Sequence, residues 1–314
     1  MRVLITGMAG FIGFHTAIKF KEEGYDVVGF DNFNNYYDPK LKRDRSDYLE
    51  NVYNIETYKL DLKAQNVMEG FINLHKPDLV IHLAAMAGVR YSMDNAQEYI
   101  DNNITGTQNL IKACEGKVDN FIFASTSCVM HGNELPWKPD VKLGDQLSPY
   151  GYTKTAGEHM MNISDIENVA ILRFFTVYGP WGRPDMALFD FTKNIIAGNT
   201  INVFNDGDMK RDFTYIDDIV EGIWLVSQNM SERDTYCIGN GKQVELMDFV
   251  NCIEDNLEIQ ADIEFKPKHP ADAKETWSDT TKIEQLGYES KTSIAEGVKK
   301  FVQWYRNYYG KNSG

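Results

Sequence analysis

The chain has few cysteines, no long apolar run and no surplus of positive charge. Its four cysteines, Cys114, Cys128, Cys237 and Cys252, are scattered, with no C-x-x-C pair and no histidine cluster beside them. That spacing speaks against a disulfide framework or a zinc site and suits free thiols in a reducing compartment, so no metal is expected. No apolar stretch approaches the ~18–20 residues that cross a bilayer. The first strand begins within two residues of Met1, which leaves no room for a signal peptide. With 46 acidic against 32 basic residues the formal net charge is −14, which disfavours nucleic acid and anionic membrane as partners. Anionic small molecules stay open, because a few local arginines override a global sign. No repeat or low-complexity linker interrupts the 314 residues, of which 43% are hydrophobic and 25% charged. The expectation is a compact cytoplasmic enzyme with a large α/β core.

What is present begins with Arg2–Thr6, a short β-branched apolar run that marks a strand buried on both faces. It runs into Gly7, Gly10 and Gly13, with Phe11 and Ile12 between them, and then a helical pattern through about Glu23. Glycines at these places let the backbone turn tightly against a pyrophosphate, while the helix N-terminus adds N–H groups and a positive dipole. The spacing is G-x-x-G-x-x-G rather than the usual G-x-G-x-x-G. The next strand, Asp26–Phe30, leads into Asp31, about 20 residues past the glycines, where a carboxylate accepts the adenosine ribose hydroxyls and repels a 2′-phosphate. That selects NAD over NADP. Asn32 and Asn35 are placed to add ribose contacts.

Further strands are expected at Tyr58–Leu60, carrying Asp61 and Leu62 toward the adenine, and at Leu79–Leu83, followed by the small Ala84 and Ala85. Gly88–Ser92 reads as a loop and Ala96–Cys114 as one long helix bearing Asn103. Phe121–Phe123 runs into a hydroxyl cluster, Ser125, Thr126 and Ser127, and Val169–Phe174 is the next strand. Hydroxyls at a strand's carboxyl end stand where open α/β sheets place ligands. Strands alternating with helices imply a Rossmann-type, doubly wound parallel sheet of the α/β class. Beyond Phe174 the rhythm breaks into turns, consistent with a smaller, mixed α/β C-terminal lobe.

The most informative stretch is Ser148–Lys154. Ser148 can cap a helix and Pro149 suits its first turn. Tyr150 and Lys154 then lie one above the other on one face. An ammonium that close favours the phenolate, so the spacing predicts a lowered tyrosine pKa and makes Tyr150 a candidate general acid/base.

With Gly7, Gly10, Gly13, Asp31, Thr126, Tyr150 and Lys154 in this order, the chain resembles an extended short-chain dehydrogenase/reductase over nearly its whole length. Within that group it most resembles the UDP-glucuronate 4-epimerases, through the runs Asp31–Lys42, Leu172–Ala187 and Gly207–Gly222. The resemblance implies an NAD-binding Rossmann domain over 1–174 plus about 213–238. The nucleotide-sugar lobe would take about 175–212 plus 239–314. It implies NAD-dependent inversion at C4 of a UDP-uronic acid through a transient 4-keto sugar. Tyr150 and Lys154 would act with Thr126 as catalytic residues. Gly7, Gly10, Phe11, Ile12, Gly13, Asp31, Asn32, Asn35, Asp61, Leu62, Leu83, Ala84, Ala85, Asn103, Tyr150 and Lys154 would contact NAD. Sister enzymes that dehydrate or decarboxylate carry extra carboxylates after the threonine; Ser127 and Cys128 stand there instead, which favours plain epimerisation.

For the substrate, the resemblance implies Ser127, Thr176 and Arg183 at the sugar, with Arg183 suited to a C6 carboxylate. Arg211 would meet the diphosphate, Arg90 the sugar or phosphate, Phe204 the uracil and Asp272 the uridine ribose. It also implies a homodimer and a place in polysaccharide biosynthesis. Met130-His131 and Ala271 depart from the usual motifs, and His131 could be an added titrating group or an ordinary loop histidine. Two other readings stay open: a UDP-glucose or UDP-N-acetylglucosamine 4-epimerase, and a non-catalytic dinucleotide sensor.

Overall fold

The computed structural model describes residues Met1–Gly310. Seven strands form one wholly parallel sheet in the order Arg233–Ile238, β6 (Asn168–Phe174), β5 (Asn120–Thr126), β4 (Leu79–His82), β1 (Arg2–Thr6), β2 (Asp26–Asp31), β3 (Thr57–Lys59). The chain winds outward from β1 to β3, then returns to lay β4 on the other side of β1. Thr6 therefore pairs with both Phe30 and His82 at the carboxyl edge where the winding reverses. Ligands of doubly wound sheets bind at that reversal.

The strands are short and apolar because both faces are covered; Val3, Leu4, Ile5, Leu79, Val80 and Ile81 are fully buried. One core packs helix α1 (Phe11–Glu22) and the helix Ile216–Gln228 against one face, and a second core, around Leu110, Phe121 and Phe123, fills the other. Three two-stranded pairings follow: Thr176–Tyr178 with Phe213–Tyr215, Lys210–Arg211 with Val244–Glu245, and Ile201–Phe204 with Ile263–Lys266. The helix Ile294–Gly310 closes the described chain, and Glu296 N–H donates to Ser293 Oγ as its capping sequence requires.

Two expected elements differ. Gly88–Ser92 is not a loop: Val89–Asp94 is helical, because Tyr99 Oη engages both Gly88 N and Gly88 O and seats the helix start. Ala96–Cys114 is not one α-helix. It passes through a π-helical segment, Ile100–Gly106, between α-helical ends. Extra residues per turn rotate the face the helix presents, and such segments recur beside functional sites.

Candidate active site

A cleft of about 860 Å³ runs along the carboxyl ends of the central strands and continues to Phe204, Arg211 and Asp272. Its first wall is the glycine turn. Gly7 has φ +68°, and a Cβ there would stand 2.8 Å from Ala84 Cα. A Cβ on Gly13 would come 2.2 Å from Gly7 O, so the start of α1 can press against the turn only without side chains. Backbone N–H groups and the α1 dipole are left facing the cleft, an arrangement suited to a diphosphate. At the end of β2, Asp31 lines the same cleft, its Oδ1 accepting from Phe33 N at 2.8 Å. Burial raises its pKa, while the Lys42 charge opposes that shift. The cradle, the adjoining carboxylate and the small Ala84 and Ala85 fit a dinucleotide such as NAD.

The second wall carries the hydroxyls of Thr126 and Tyr150. Ser148 caps its helix, Pro149–Asn162, by accepting from Gly151 N at 3.2 Å, and Pro149 takes the first turn. Thr126 ends β5 with its Oγ1 accepting from Cys128 N at 3.3 Å. Both Thr126 and Lys154 are buried, and with Tyr150 they line the cleft together. The lowered tyrosine pKa is corrected, however. Burial pushes the Tyr150 phenol up, helped by neighbouring Cys128, against the Thr126 hydrogen bond and the Arg183 charge. Lys154 Nζ lies 4.5 Å over the Phe123 ring, and burial pulls its pKa down to about 8 while Glu158 raises it. Spacing alone ignored this desolvation, which acts on both groups.

Beneath this wall Glu158 accepts from Ser125 Oγ at 2.5 Å, Arg173 Nε at 3.0 Å and Arg173 Nη2 at 2.8 Å. This buried pair ties the helix Pro149–Asn162 to β5 and β6. A second brace holds the Ala84 approach. Ala84 N donates to Thr6 Oγ1 at 3.1 Å, and His82 Nδ1 and Nε2 lie 2.7 and 3.0 Å from the hydroxyls of Thr6 and Thr107.

Three expected cofactor residues are off the cleft wall. Asn35 is exposed: the chain turns through Phe33 at φ 52°, which carries Asn34 to the cleft and Asn35 away from it. Asp61 is spent on its own turn, accepting from Lys63 N at 2.9 Å and from Asn32 Nδ2 at 3.4 Å. Asn103 Oδ1 accepts from Met86 N, and its Nδ2 donates to Met86 O and to Thr153 Oγ1 at 3.0 Å. It bonds to the helix Pro149–Asn162 while its neighbour Asn102, in the same π-helical segment, reaches the cleft. Gly10, Phe11, Ile12, Asn32, Leu62 and Leu83 do line it, as do Arg90, Ser127, Thr176, Arg183, Phe204, Arg211 and Asp272. His131 is not among the lining residues.

Each arginine on the cleft wall, Arg90, Arg183 and Arg211, is already engaged. Arg90 pairs with Asp272 at 2.6 Å and stacks 3.7 Å over Phe204, bringing those three expected contacts together across some 180 residues of sequence. Arg211 donates to the carbonyls of Lys210, Lys274 and Ala273. Arg183 pairs with Asp185, and burial works against its charge while Asp185 more than compensates. Sequence reasoning missed Lys42, Tyr36 and Asp185. Lys42, bonded to Asn34 Oδ1 at 2.8 Å, could have been found from the Asp38-Pro39 helix start, which turns its side toward Asp31.

The chain is similar over nearly its whole length to known proteins. UDP-glucuronate 4-epimerase 1 of Arabidopsis thaliana is 38% identical over 99% of this chain and 78% of its own length. UDP-glucuronate 4-epimerase of Thermodesulfobacterium geofontis is 37% identical over 96% of this chain and 95% of its own. The crystal structure of UDP-glucuronic acid 4-epimerase from Bacillus cereus, in complex with UDP-glucuronic acid and NAD, superposes with a TM-score of 0.92 at 34% identity, covering 98% of this chain and 100% of that one. A family model matches residues 3–239, and the chain belongs to the NAD dependent epimerase/dehydratase family.

Proposed function

We propose that the protein interconverts UDP-glucuronate and UDP-galacturonate by inverting C4. One observation carries the reading: the Thr126–Tyr150–Lys154 group and Arg183 line a single cleft, close enough that the Arg183 charge acts on Tyr150. The hydroxyl to be oxidised on C4 and the carboxylate to be recognised on C5 are borne by adjacent carbons of one pyranose ring, so a single bound sugar would reach both groups.

When bound, NAD supplies the hydride acceptor and donor for C4. Tyr150 Oη takes the proton of the 4-hydroxyl and returns it after the sugar has presented its other face. Its raised pKa in the chain alone means that a bound positive charge is needed to bring the tyrosinate within reach of neutral pH. Lys154 contributes its ammonium, and Thr126 Oγ1 holds the 4-oxygen. Arg183, with Thr176 and Ser127, receives the C6 carboxylate. Phe204 and Asp272 take the uridine and Arg211 the diphosphate. The glycine turn, Asp31, Asn32, Leu62, Leu83, Ala84 and Ala85 hold the cofactor.

The test is incubation of purified protein, without added NAD, with UDP-glucuronate and separately with UDP-glucose, read by proton NMR of the anomeric region. Product from UDP-glucuronate alone supports the reading. Conversion of UDP-glucose instead replaces it with the neutral-sugar epimerase, and no conversion of either sugar, even with NAD added, turns attention to other nucleotide sugars and then to the sensor. We further propose a cytoplasmic homodimer serving polysaccharide biosynthesis, with the NAD part spanning 1–174 and about 213–238; light scattering at working concentration tests the dimer.

A further inference from the structure

Arg183 does not enter the cleft as a free charge. Its Nε donates to Asp185 Oδ1 at 3.1 Å and its Nη2 to Asp185 Oδ2 at 2.6 Å, while Nη1 makes no hydrogen bond among the described residues. The turn that closes this pair is local, since Met186 N donates to Arg183 O at 3.2 Å. Asp185 is held in its turn from across the cleft. Tyr36 Oη donates to Asp185 Oδ2 at 2.9 Å, and the Tyr36 ring packs edge-on against Tyr91 with centroids 4.8 Å apart. Tyr36 belongs to the segment that follows Asp31. Its hydroxyl has room because residue 88 is glycine; a Cβ there would stand 2.1 Å from it.

A guanidinium committed through Nε and Nη2 is fixed in plane and can offer an incoming anion only its remaining edge. The adjacent carboxylate, held below its usual range by Arg183 against the effect of burial, also cancels much of the arginine's charge. Recognition of a sugar carboxylate would then depend on where the guanidinium is held more than on net positive potential. A neutral hexose makes no such demand.

We propose that Asp185, anchored by Tyr36, is the positioning residue that presets Arg183 for a carboxylate-bearing sugar, so that preference for a uronate over a neutral hexose is set through Asp185. The inference rests on the UDP-uronate reading of the cleft. It links sugar selectivity to a tyrosine in the segment that follows β2, on the far side of the cleft from Arg183.

The experiment uses the NAD-loaded protein and three variants, with bound NAD quantified to show an intact fold. It measures KM and kcat for UDP-glucuronate, and the inhibition constant of UDP-glucose as a competitor. Asp185→Ala should raise the KM for UDP-glucuronate about tenfold with kcat little changed and the UDP-glucose constant unmoved, the size expected for loss of a charge-assisted bidentate contact. Tyr36→Phe should raise the same KM a few-fold. Asp185→Asn keeps an acceptor for Nε and should restore most of the affinity. Equal losses for both sugars, or no change in KM, would overturn the positioning role while leaving the epimerase reading intact. Wild-type protein that converts UDP-glucose and not UDP-glucuronate overturns both.

Discussion

The two ends of the cleft are built on opposite plans. At one end, Thr126, Tyr150 and Lys154 come from β5 and the helix Pro149–Asn162, are backed by buried core, and have few polar partners. At the other end, Arg90, Arg183 and Arg211 come from separated segments, and each is already matched by a carboxylate or by carbonyls. The first end keeps its groups desolvated and poised for change in protonation. The second trades one set of partners for another when a ligand arrives. Removing a group should therefore be catastrophic for turnover at the first end and graded at the second.

The largest expected effect is at Tyr150. Tyr150→Phe should lower kcat by about 10³-fold, the scale of a lost general acid/base, with UDP-sugar binding by calorimetry nearly unchanged. A kcat within tenfold of wild type would mean that another group moves the proton, and the contrast between the two ends would collapse.

Next comes the buried pair that supports the first end. Glu158→Gln leaves Arg173 without a countercharge in the core, which should cost about 3–5 kcal/mol in urea unfolding. It also removes the charge that raises Lys154, so the Lys154 pKa should fall below its value of about 8. The alkaline limb of kcat should then move to lower pH. A stability loss without that displacement would make the pair structural only.

At the second end the effects shrink. Arg90→Ala and Asp272→Ala should each raise KM for the UDP-sugar less than about tenfold, and the double variant should fall short of their product, because each single change also strands the other's partner. Fully additive losses would show that the Arg90–Asp272 pair is incidental.

The smallest effect is on stability against pH. His15 and His82, ordinarily near 6.5, are held neutral by burial down to about 4 and about 3. The unfolded chain takes up those protons near pH 6.5 and the folded chain does not. Stability is thus full above pH 6.5 and falls as pH drops through the window toward 4 and 3. His82→Gln should flatten the dependence of the urea midpoint between pH 7 and 5.

The first end was legible in the sequence and the second only in outline. Strand, glycines, Asp31 and the Tyr150–Lys154 pair are local patterns whose geometry follows from helix and strand periods. Ser148 and Pro149 stated the start of the helix that carries Tyr150 and Lys154 outright. The pairing of Arg90 with Asp272 joins residues with nothing local in common, and the hold of Tyr36 on Asp185 crosses the cleft. Asn103 and Asn35 were misplaced because a π-helical segment and one left-handed residue, Phe33, rotate their side chains, and neither leaves a period in the sequence.

What the sequence by itself determined is the parallel sheet, the glycine turn after its first strand and the helix that carries Tyr150 and Lys154. Each depends on residues within a turn or two of one another. What only the tertiary structure decided is the electrostatic state of those two side chains. Burial raised the Tyr150 pKa where spacing predicted a fall, and it is an attribute of the whole fold rather than of any neighbour in the chain.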